Sequence, residues 1–147
     1  MLKIDHIGIA VKNMADSNEL FVRLLGEAHY KVENVASEKV TTSFFRIGES
    51  KIELLEASDP ESPIAKFIEK RGEGIHHIAF EVVDIHAEIE RLEGEGFIPI
   101  NREPKRGADN KLVAFLHPKS SNGVLIELCQ SIPPDSSFII HHSSLPK

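Results

Sequence analysis

An internal repeat constrains the fold of this chain more than any other feature of its sequence. Residues 75–82 (IHHIAFEV) correspond to residues 4–11 (IDHIGIAV), 71 positions earlier. Residues 125–128 (LIEL) correspond in the same way to residues 51–54 (KIEL), 74 positions earlier. A chain of 147 residues has room for one domain of ordinary size, so the duplication predicts two similar modules within that domain.

Alternating side chains predict a strand at the start of each copy. In the first copy, Ile7 and Ile9 lie on one face of the strand, whereas His6 and Gly8 lie on the other. A helix follows this strand in both copies, and three further strands follow the helix. The predicted strands are 3–11, 29–36, 40–47, 50–56, 75–82, 97–102, 112–117 and 124–130, and a further helix is predicted at 64–70.

This order of elements predicts an α+β fold. We expect two paired βαβββ modules that form a curled mixed sheet around a central cavity, with the helices outside. The single predicted domain covers residues 1–130, with repeat halves at about 3–57 and 75–130. Residues 131–147 contain two consecutive prolines and several serines, so they are predicted to be a C-terminal tail.

Four residues occupy equivalent positions in the two copies. His6 and His77 lie in the first strand of each half, and Glu53 and Glu127 lie in the last. The alternation places all four on the strand face opposite the large apolar residues, so they would line the cavity if the two sheets curl toward each other. By the same rule His76 falls on the apolar side, where we expect a core or hydrogen-bonding role.

Two imidazoles and two carboxylates form a mixed nitrogen and oxygen ligand set, which suits divalent cobalt, manganese, zinc or nickel. A single strand histidine is more often structural than a metal ligand. The prediction of a metal at the centre of the cavity therefore depends on the duplication and on the shared face. Such an ion could act as a Lewis acid on a carbonyl group and stabilise an enolate.

Composition excludes several other functions. The net charge is −6 and there is no basic cluster, so we expect no nucleic-acid partner. One cysteine allows no internal disulfide, and no apolar run approaches the ~20 residues of a membrane span, so we expect a cytoplasmic protein with no membrane partner.

A weaker pattern concerns local basic residues near glycine. We expect this group to help bind an anionic substrate, although scattered lysines are more often simply solvated. Its members are Lys105, Arg106, Gly107, Lys111 and Lys119.

At these positions the sequence resembles the vicinal oxygen chelate superfamily, which includes glyoxalases, bleomycin-resistance proteins and dioxygenases. Within it the sequence is similar to the methylmalonyl-CoA epimerase family, over about residues 3–130. The segments that carry this resemblance are 5–11 (DHIGIAV), 51–56 (KIELLE), 62–67 (SPIAKF), 74–79 (GIHHIA), 115–119 (FLHPK) and 123–128 (GVLIEL).

The resemblance implies a metal-dependent epimerase that interconverts (2R)- and (2S)-methylmalonyl-CoA through a metal-stabilised enediolate. It implies His6, Glu53, His77 and Glu127 as ligands of a divalent ion, a CoA thioester as the substrate, and a homodimer. Some family members carry a glutamate, a proposed base, in the strand after the first helix pair. Ser43 is taken to occupy that position here, so Glu127 is the predicted base.

Two other activities remain open at this stage. A glyoxalase I-type lactoylglutathione lyase would use the same metal and enediolate chemistry on a glutathione hemithioacetal. A metal-free binding protein like the bleomycin-resistance proteins commonly lacks the four ligands, all of which are present here.

Overall fold

A computed structural model describes residues 1–133, which form one eight-stranded mixed sheet with three α-helices. The strands are β1 (Lys3–Ala10), β2 (Lys31–Val35), β3 (Val40–Ile47), β4 (Ser50–Ala57), β5 (Gly74–Glu81), β6 (Lys105–Arg106), β7 (Lys111–Leu116) and β8 (Ile126–Ser131). The helices are α1 (Met14–Leu25), α2 (Pro63–Arg71) and α3 (Ile85–Gly94). None of the helices in this part of the chain is long and apolar enough to cross a membrane.

The sheet order reflects the duplication. It runs β2-β3-β4-β1-β5-β8-β7-β6, so the first strands of the two copies lie side by side at the centre. β1 and β5 are antiparallel, whereas each of them is parallel to the last strand of its own copy, β4 and β8 respectively. The four strands that carry the predicted ligands are therefore the four central strands. The predicted paired-module architecture is confirmed.

Two helices cover the outer face of the sheet, one in each half. Phe21 and Leu25 of α1 pack with Leu54 of β4, and Ile89 of α3 packs with Leu128 of β8. α1 begins at Asn13, whose side chain accepts a hydrogen bond from the Asp16 amide at 2.9 Å. α3 begins at Asp84, whose side chain accepts from Ala87. These caps satisfy amide groups that have no partner within the helix.

The connecting helix α2 lies on the other face. Its residue Ile64 is buried against Ala10, Val40 and Leu55, and both Pro63 and Ile64 line the central cavity. α2 therefore closes one end of the inner surface, whereas α1 and α3 lie outside, as predicted for the helices in general.

The strand predicted at 97–102 is wrong. The second half instead has only the two-residue strand β6 at Lys105–Arg106, preceded by an isolated bridge between Pro99 and Leu116. Pro99 cannot donate a backbone hydrogen bond, which limits regular pairing at this point. Ile98 and Ile100 are about half exposed, so the apolar pattern of this segment does not reflect a buried strand.

Ion pairs bring the two edges of the sheet together. Lys31 of edge strand β2 contacts Asp109 at 2.7 Å, and Asp109 lies in the turn between β6 and β7. Lys105 of the opposite edge strand contacts Glu38, which follows β2, at 2.9 Å. Because contacts join residues near both edges, the sheet curls and encloses a cavity on its inner face.

The predicted tail lies mostly outside the described residues. Ser131 ends β8, and Ile132 is buried and donates its backbone amide to Asn110 at 3.2 Å. Residues 134–147, which include the histidine pair at 141–142, are not described.

Candidate metal centre

The inner face of the curled sheet encloses a cavity of about 360 Å³. Its walls are largely apolar, and polar groups converge at the central strands. Apolar walls with a few convergent polar groups are typical of small-molecule sites. The apolar lining comes from both halves and from α2: Val35, Val40, Leu55, Ile64, Val113, Phe115 and Leu125.

The four predicted ligands all line this cavity, and all are buried. Small residues separate them along the sheet. Gly8 of β1 lies between Glu53 of β4 and His77 of β5, and Ala79 of β5 lies between His6 of β1 and Glu127 of β8. His77 therefore faces Glu53 across Gly8, and His6 faces Glu127 across Ala79, and in both cases the small residue leaves room between the two side chains. The repeat relates these two arrangements.

Three donor atoms converge at one point. His77 Nε2 lies 3.0 Å from Glu127 Oε1 and 3.1 Å from His6 Nε2, and His6 Nε2 lies 3.5 Å from Glu127 Oε1. Glu53 is placed differently, because its Oε2 lies 3.2 Å from Nδ1 of His6, the nitrogen on the other side of the ring. The structure therefore brings three of the predicted ligands together and sets the fourth beside them.

These distances fit a metal ion. An ion bound about 2.0–2.2 Å from nitrogen and oxygen ligands holds neighbouring ligand atoms roughly 3 Å apart. The donor atoms of His6, His77 and Glu127 already have that spacing. Imidazole and carboxylate are also the ligand types that borderline divalent ions prefer.

Charge at this centre favours a cation. Burial alone would lower the pKa of His6, but the carboxylates of Glu53, Asp5 and Glu127 raise that pKa to about 10. Burial likewise opposes ionisation of Glu127, but His6 and His77 lower its pKa to about 2, so this carboxylate is charged at neutral pH. Burial raises the pKa of Glu53 to about 7. Several carboxylates lie around one imidazole, so a bound positive charge would be stabilised at this site.

His76 does not lie on the apolar side, so the predicted side is wrong, whereas the predicted hydrogen-bonding role is confirmed. It lines the cavity, and its Nδ1 lies 2.9 Å from Nδ1 of His77. The reason is a β-bulge: Gly8 pairs with His77 and Ile9 with Ile75, so His76 is an extra residue without a partner on β1. A bulge interrupts the alternation on which the prediction depends.

Asp5 is a site residue that the sequence reasoning missed. Its buried carboxylate Oδ2 lies 2.8 Å from Nδ1 of His6. The same kind of irregularity places it there, because Ile4 pairs with Phe80 and His6 pairs with Ala79, which leaves Asp5 as the extra residue. An acidic residue directly before the candidate ligand histidine was the available signal.

Ser43, the position assigned to the missing base, does not face the cavity. Its hydroxyl donates to Asn18 Oδ1 at 2.6 Å, on the side of α1. Thr42, its neighbour on β3, lines the cavity instead. Thr42 pairs with Leu55, two residues after Glu53 on β4, so it shares the face of the candidate ligands.

The predicted basic group is spread over several environments. Lys105 and Gly107 line the cavity, and Arg106 is exposed, with its guanidinium donating to Asn110 at 2.9 Å. Lys111 also lines the cavity, but its buried ammonium group lies 3.4 Å from Asp5 Oδ1 and is therefore already paired. Lys119 lies beyond β7 and is not part of the cavity wall.

Gly8 provides a direct test of this geometry. A Cβ atom at position 8 would lie 2.7 and 2.8 Å from the two ring nitrogens of His77 and still closer to its Cε1. We therefore expect the Gly8→Ala variant to displace His77 and to bind Co²⁺ about 10- to 100-fold more weakly, as when a ligand loses its orientation. Isothermal titration calorimetry measures this effect, and unchanged affinity would show that His77 does not need its present position.

The paired βαβββ fold and the histidine and glutamate cluster at its centre define a class of protein. A family model for the glyoxalase/bleomycin resistance protein/dioxygenase superfamily matches residues 5–115. The chain therefore belongs to this superfamily.

Individual relatives narrow the similarity from the superfamily to one group of enzymes within it. The chain is 40% identical over 130 residues to the ethylmalonyl-CoA/methylmalonyl-CoA epimerase of Cereibacter sphaeroides, covering 87% of this chain and 97% of that protein. It is 34% identical to a Streptomyces coelicolor methylmalonyl-CoA epimerase variant solved in complex with 2-nitronate-propionyl-CoA, with a TM-score of 0.85 and coverage of 89% and 95%. A solved hypothetical protein from Bacillus halodurans is 50% identical, with a TM-score of 0.86 and coverage of 89% and 95%. The predicted resemblance to this family of epimerases is confirmed.

Proposed function

We propose that this chain is a methylmalonyl-CoA epimerase that interconverts the (2R) and (2S) forms of its substrate. The observation that carries the proposal is the convergence of His6, His77 and Glu127 within 3.5 Å of one another at a largely apolar cavity. Similarity to named epimerases over most of the chain supports the substrate class.

The ligands of the proposed divalent ion are His6, His77, Glu127 and Glu53. When bound, the ion would supply Lewis-acid stabilisation to the thioester oxygen on which negative charge develops. The candidate ions are cobalt, manganese, zinc and nickel, because this ligand set suits all of them.

Glu127 is the proposed base that removes the proton from C2, and a proton returned to the opposite face of C2, from a donor to which no residue is assigned, completes the epimerisation. It is buried on the central strand β8, and His6 and His77 keep it ionised. An ionised carboxylate held at the inner end of an apolar cavity can accept a proton from a substrate whose C2 lies beside it. The largely apolar walls from both halves lower the local dielectric constant, which strengthens electrostatic interactions at this point.

The anionic part of the CoA thioester requires a basic surface. Lys105 lines the cavity, and the side chain of Arg106 is exposed next to it. We assign phosphate binding to these two residues, with Gly107 allowing close backbone approach. Lys111 has a different role, because its ammonium group is buried as well as paired with Asp5, whereas the side chain of Lys105 is about half exposed beside its own partner Glu38.

Exchange of the C2 proton tests the proposed reaction. In ²H₂O, the metal-loaded protein is expected to incorporate deuterium at C2 of methylmalonyl-CoA, as followed by mass spectrometry. A parallel assay offers the hemithioacetal of methylglyoxal and glutathione. Turnover of that adduct without exchange at C2 would replace the proposal with a glyoxalase I-type lyase, and inactivity in both assays without metal binding would indicate a metal-free binding protein.

The homodimer implied by the family resemblance belongs to the same proposal. Sedimentation velocity of the purified protein is expected to give a mass near twice 16.4 kDa. A mass near 16.4 kDa at micromolar concentration would contradict it.

A further inference from the structure

Two β-bulges occupy equivalent places in the two copies of the repeat. One leaves Asp5 as the extra residue of β1, and the other leaves His76 as the extra residue of β5. These residues are 71 positions apart, the same offset that relates His6 to His77. The duplication has therefore retained a bulge immediately before each candidate ligand histidine.

Each bulge allows two successive side chains to contact each other on the cavity side. Asp5 Oδ2 lies 2.8 Å from Nδ1 of His6, and His76 Nδ1 lies 2.9 Å from Nδ1 of His77. In a regular strand, neighbouring side chains point to opposite faces and cannot meet in this way. Bulges near functional sites commonly redirect a side chain, and both of these do so at the same ring atom.

That ring atom is the one opposite the converging donors. The imidazoles of His6 and His77 approach Glu127 through Nε2. A neutral histidine that binds a metal through Nε2 carries its proton on Nδ1, and that proton needs an acceptor to fix the ring. Asp5 is the nearer acceptor for His6, at 2.8 Å, since the Glu53 carboxylate lies 3.2 Å from the same nitrogen. His76 is an acceptor for His77 in the tautomer whose own proton is on Nε2.

The two acceptors are themselves held in place. The Asp5 carboxylate is 1% exposed and lies within 3.4 Å of the ammonium groups of Lys51 and Lys111. The His76 ring packs edge-on against Phe67 of α2, with 4.9 Å between the ring centroids. Neither acceptor can turn away without losing these contacts.

The geometry points to Asp5 and His76 as a pair of positioning residues, one in each half, that orient His6 and His77 for metal binding. The inference rests on the proposed metal-dependent function. The pair is asymmetric: His6 is supported by an anion, whereas His77 is supported by a second imidazole. An anionic acceptor makes a ligand more basic than a neutral one does, so the two histidines would bind the ion with unequal strength.

Substitutions at His76 test the inference without disturbing a buried charge. His76→Leu removes the acceptor but keeps an apolar side chain against Phe67, and we expect Co²⁺ affinity to fall about 10- to 100-fold. His76→Gln keeps an oxygen that can accept from His77 Nδ1, so we expect the loss to be less than about 10-fold. His86→Leu, on the exposed face of α3, is the matched control and retains wild-type affinity.

Three measurements are made on each protein: Co²⁺ affinity by calorimetry, the visible absorption spectrum of bound Co²⁺, and the thermal midpoint of the metal-free form. If His76 positions His77, His76→Leu will have a lower Co²⁺ affinity and an altered Co²⁺ spectrum, whereas the thermal midpoint of its metal-free form will stay near that of the wild type. In His76→Gln, the affinity and the spectrum will return toward the wild-type values. Asp5→Asn, which keeps an acceptor oxygen, is expected to weaken binding about 10-fold. Since this change also removes the partner of two buried lysines, the His76 variants remain decisive.

The outcomes separate this inference from the proposed function. Wild-type protein that binds no Co²⁺ would overturn the metal-dependent function and the inference with it. If the wild type binds Co²⁺ and His76→Leu binds it with the same affinity, the inference is overturned but the proposed function is not. Equal losses in His76→Leu and His76→Gln also overturn the inference, because the acceptor would then be irrelevant.

Discussion

We expect the His77→Ala variant to lose Co²⁺ binding and C2 proton exchange together while keeping the fold. His77 supplies the Nε2 atom nearest to Glu127 and also contacts His6, so its removal leaves two of the three converging donors. Loss of a residue that only orients a ligand typically costs 10- to 100-fold in metal affinity, so loss of the ligand itself should cost at least about 100-fold. Calorimetry and deuterium exchange measure the two effects.

The fold should survive this change because none of the apolar clusters among the described residues includes His77. Circular dichroism of the variant should therefore match that of the wild type. His86→Ala is the control for loss of an exposed histidine, and it should retain both binding and exchange. Stoichiometric Co²⁺ in the folded His77→Ala protein would remove His77 from the ligand set.

The duplication explains why so much of this centre is visible in the sequence. A single histidine within a strand carries little information, but His6 and His77 recur at one offset, and Glu53 and Glu127 recur at nearly the same one. Alternation then places each of them on the inner face, which the structure bears out. Repetition and strand period were sufficient because the four residues themselves are paired with neighbouring strands, although a bulge precedes each histidine.

The incorrect predictions of side-chain position arise where the two-residue period of a strand is interrupted, or where both faces of the strand are buried and the period cannot distinguish them. Asp5 and His76 are misplaced by alternation because a bulge adds a residue that period two cannot represent. On β3, both faces are buried, so Thr42 and Ser43 are equivalent by pattern, and only the pairing of Thr42 with Leu55 shows which one faces the cavity. The role of Lys111 was also invisible, because its partner Asp5 is distant in sequence.

We expect the Glu127→Gln variant to bind the metal but to lose most of its epimerase activity. The amide keeps an oxygen that can serve as a ligand, but it cannot accept the C2 proton as a carboxylate does. A positioned acid or base typically contributes 10²- to 10⁴-fold to a rate, so the rate of C2 exchange should fall by about that factor even at saturating Co²⁺. The pairing of Glu127 with His6 and His77 keeps the carboxylate ionised, as a proton acceptor must be, and the same pairing weakens it as a base.

Metal saturation must be established before the rates are compared, since Glu127 is proposed both as a ligand and as the base. Titration of the Glu127→Gln variant gives the Co²⁺ concentration at which the site is full, and exchange is then measured at that concentration and above it. Glu90→Gln is the matched control, because it makes the same change at an exposed residue of α3. Near-wild-type exchange by the saturated Glu127→Gln protein would assign proton removal to another cavity residue and leave Glu127 as a ligand only.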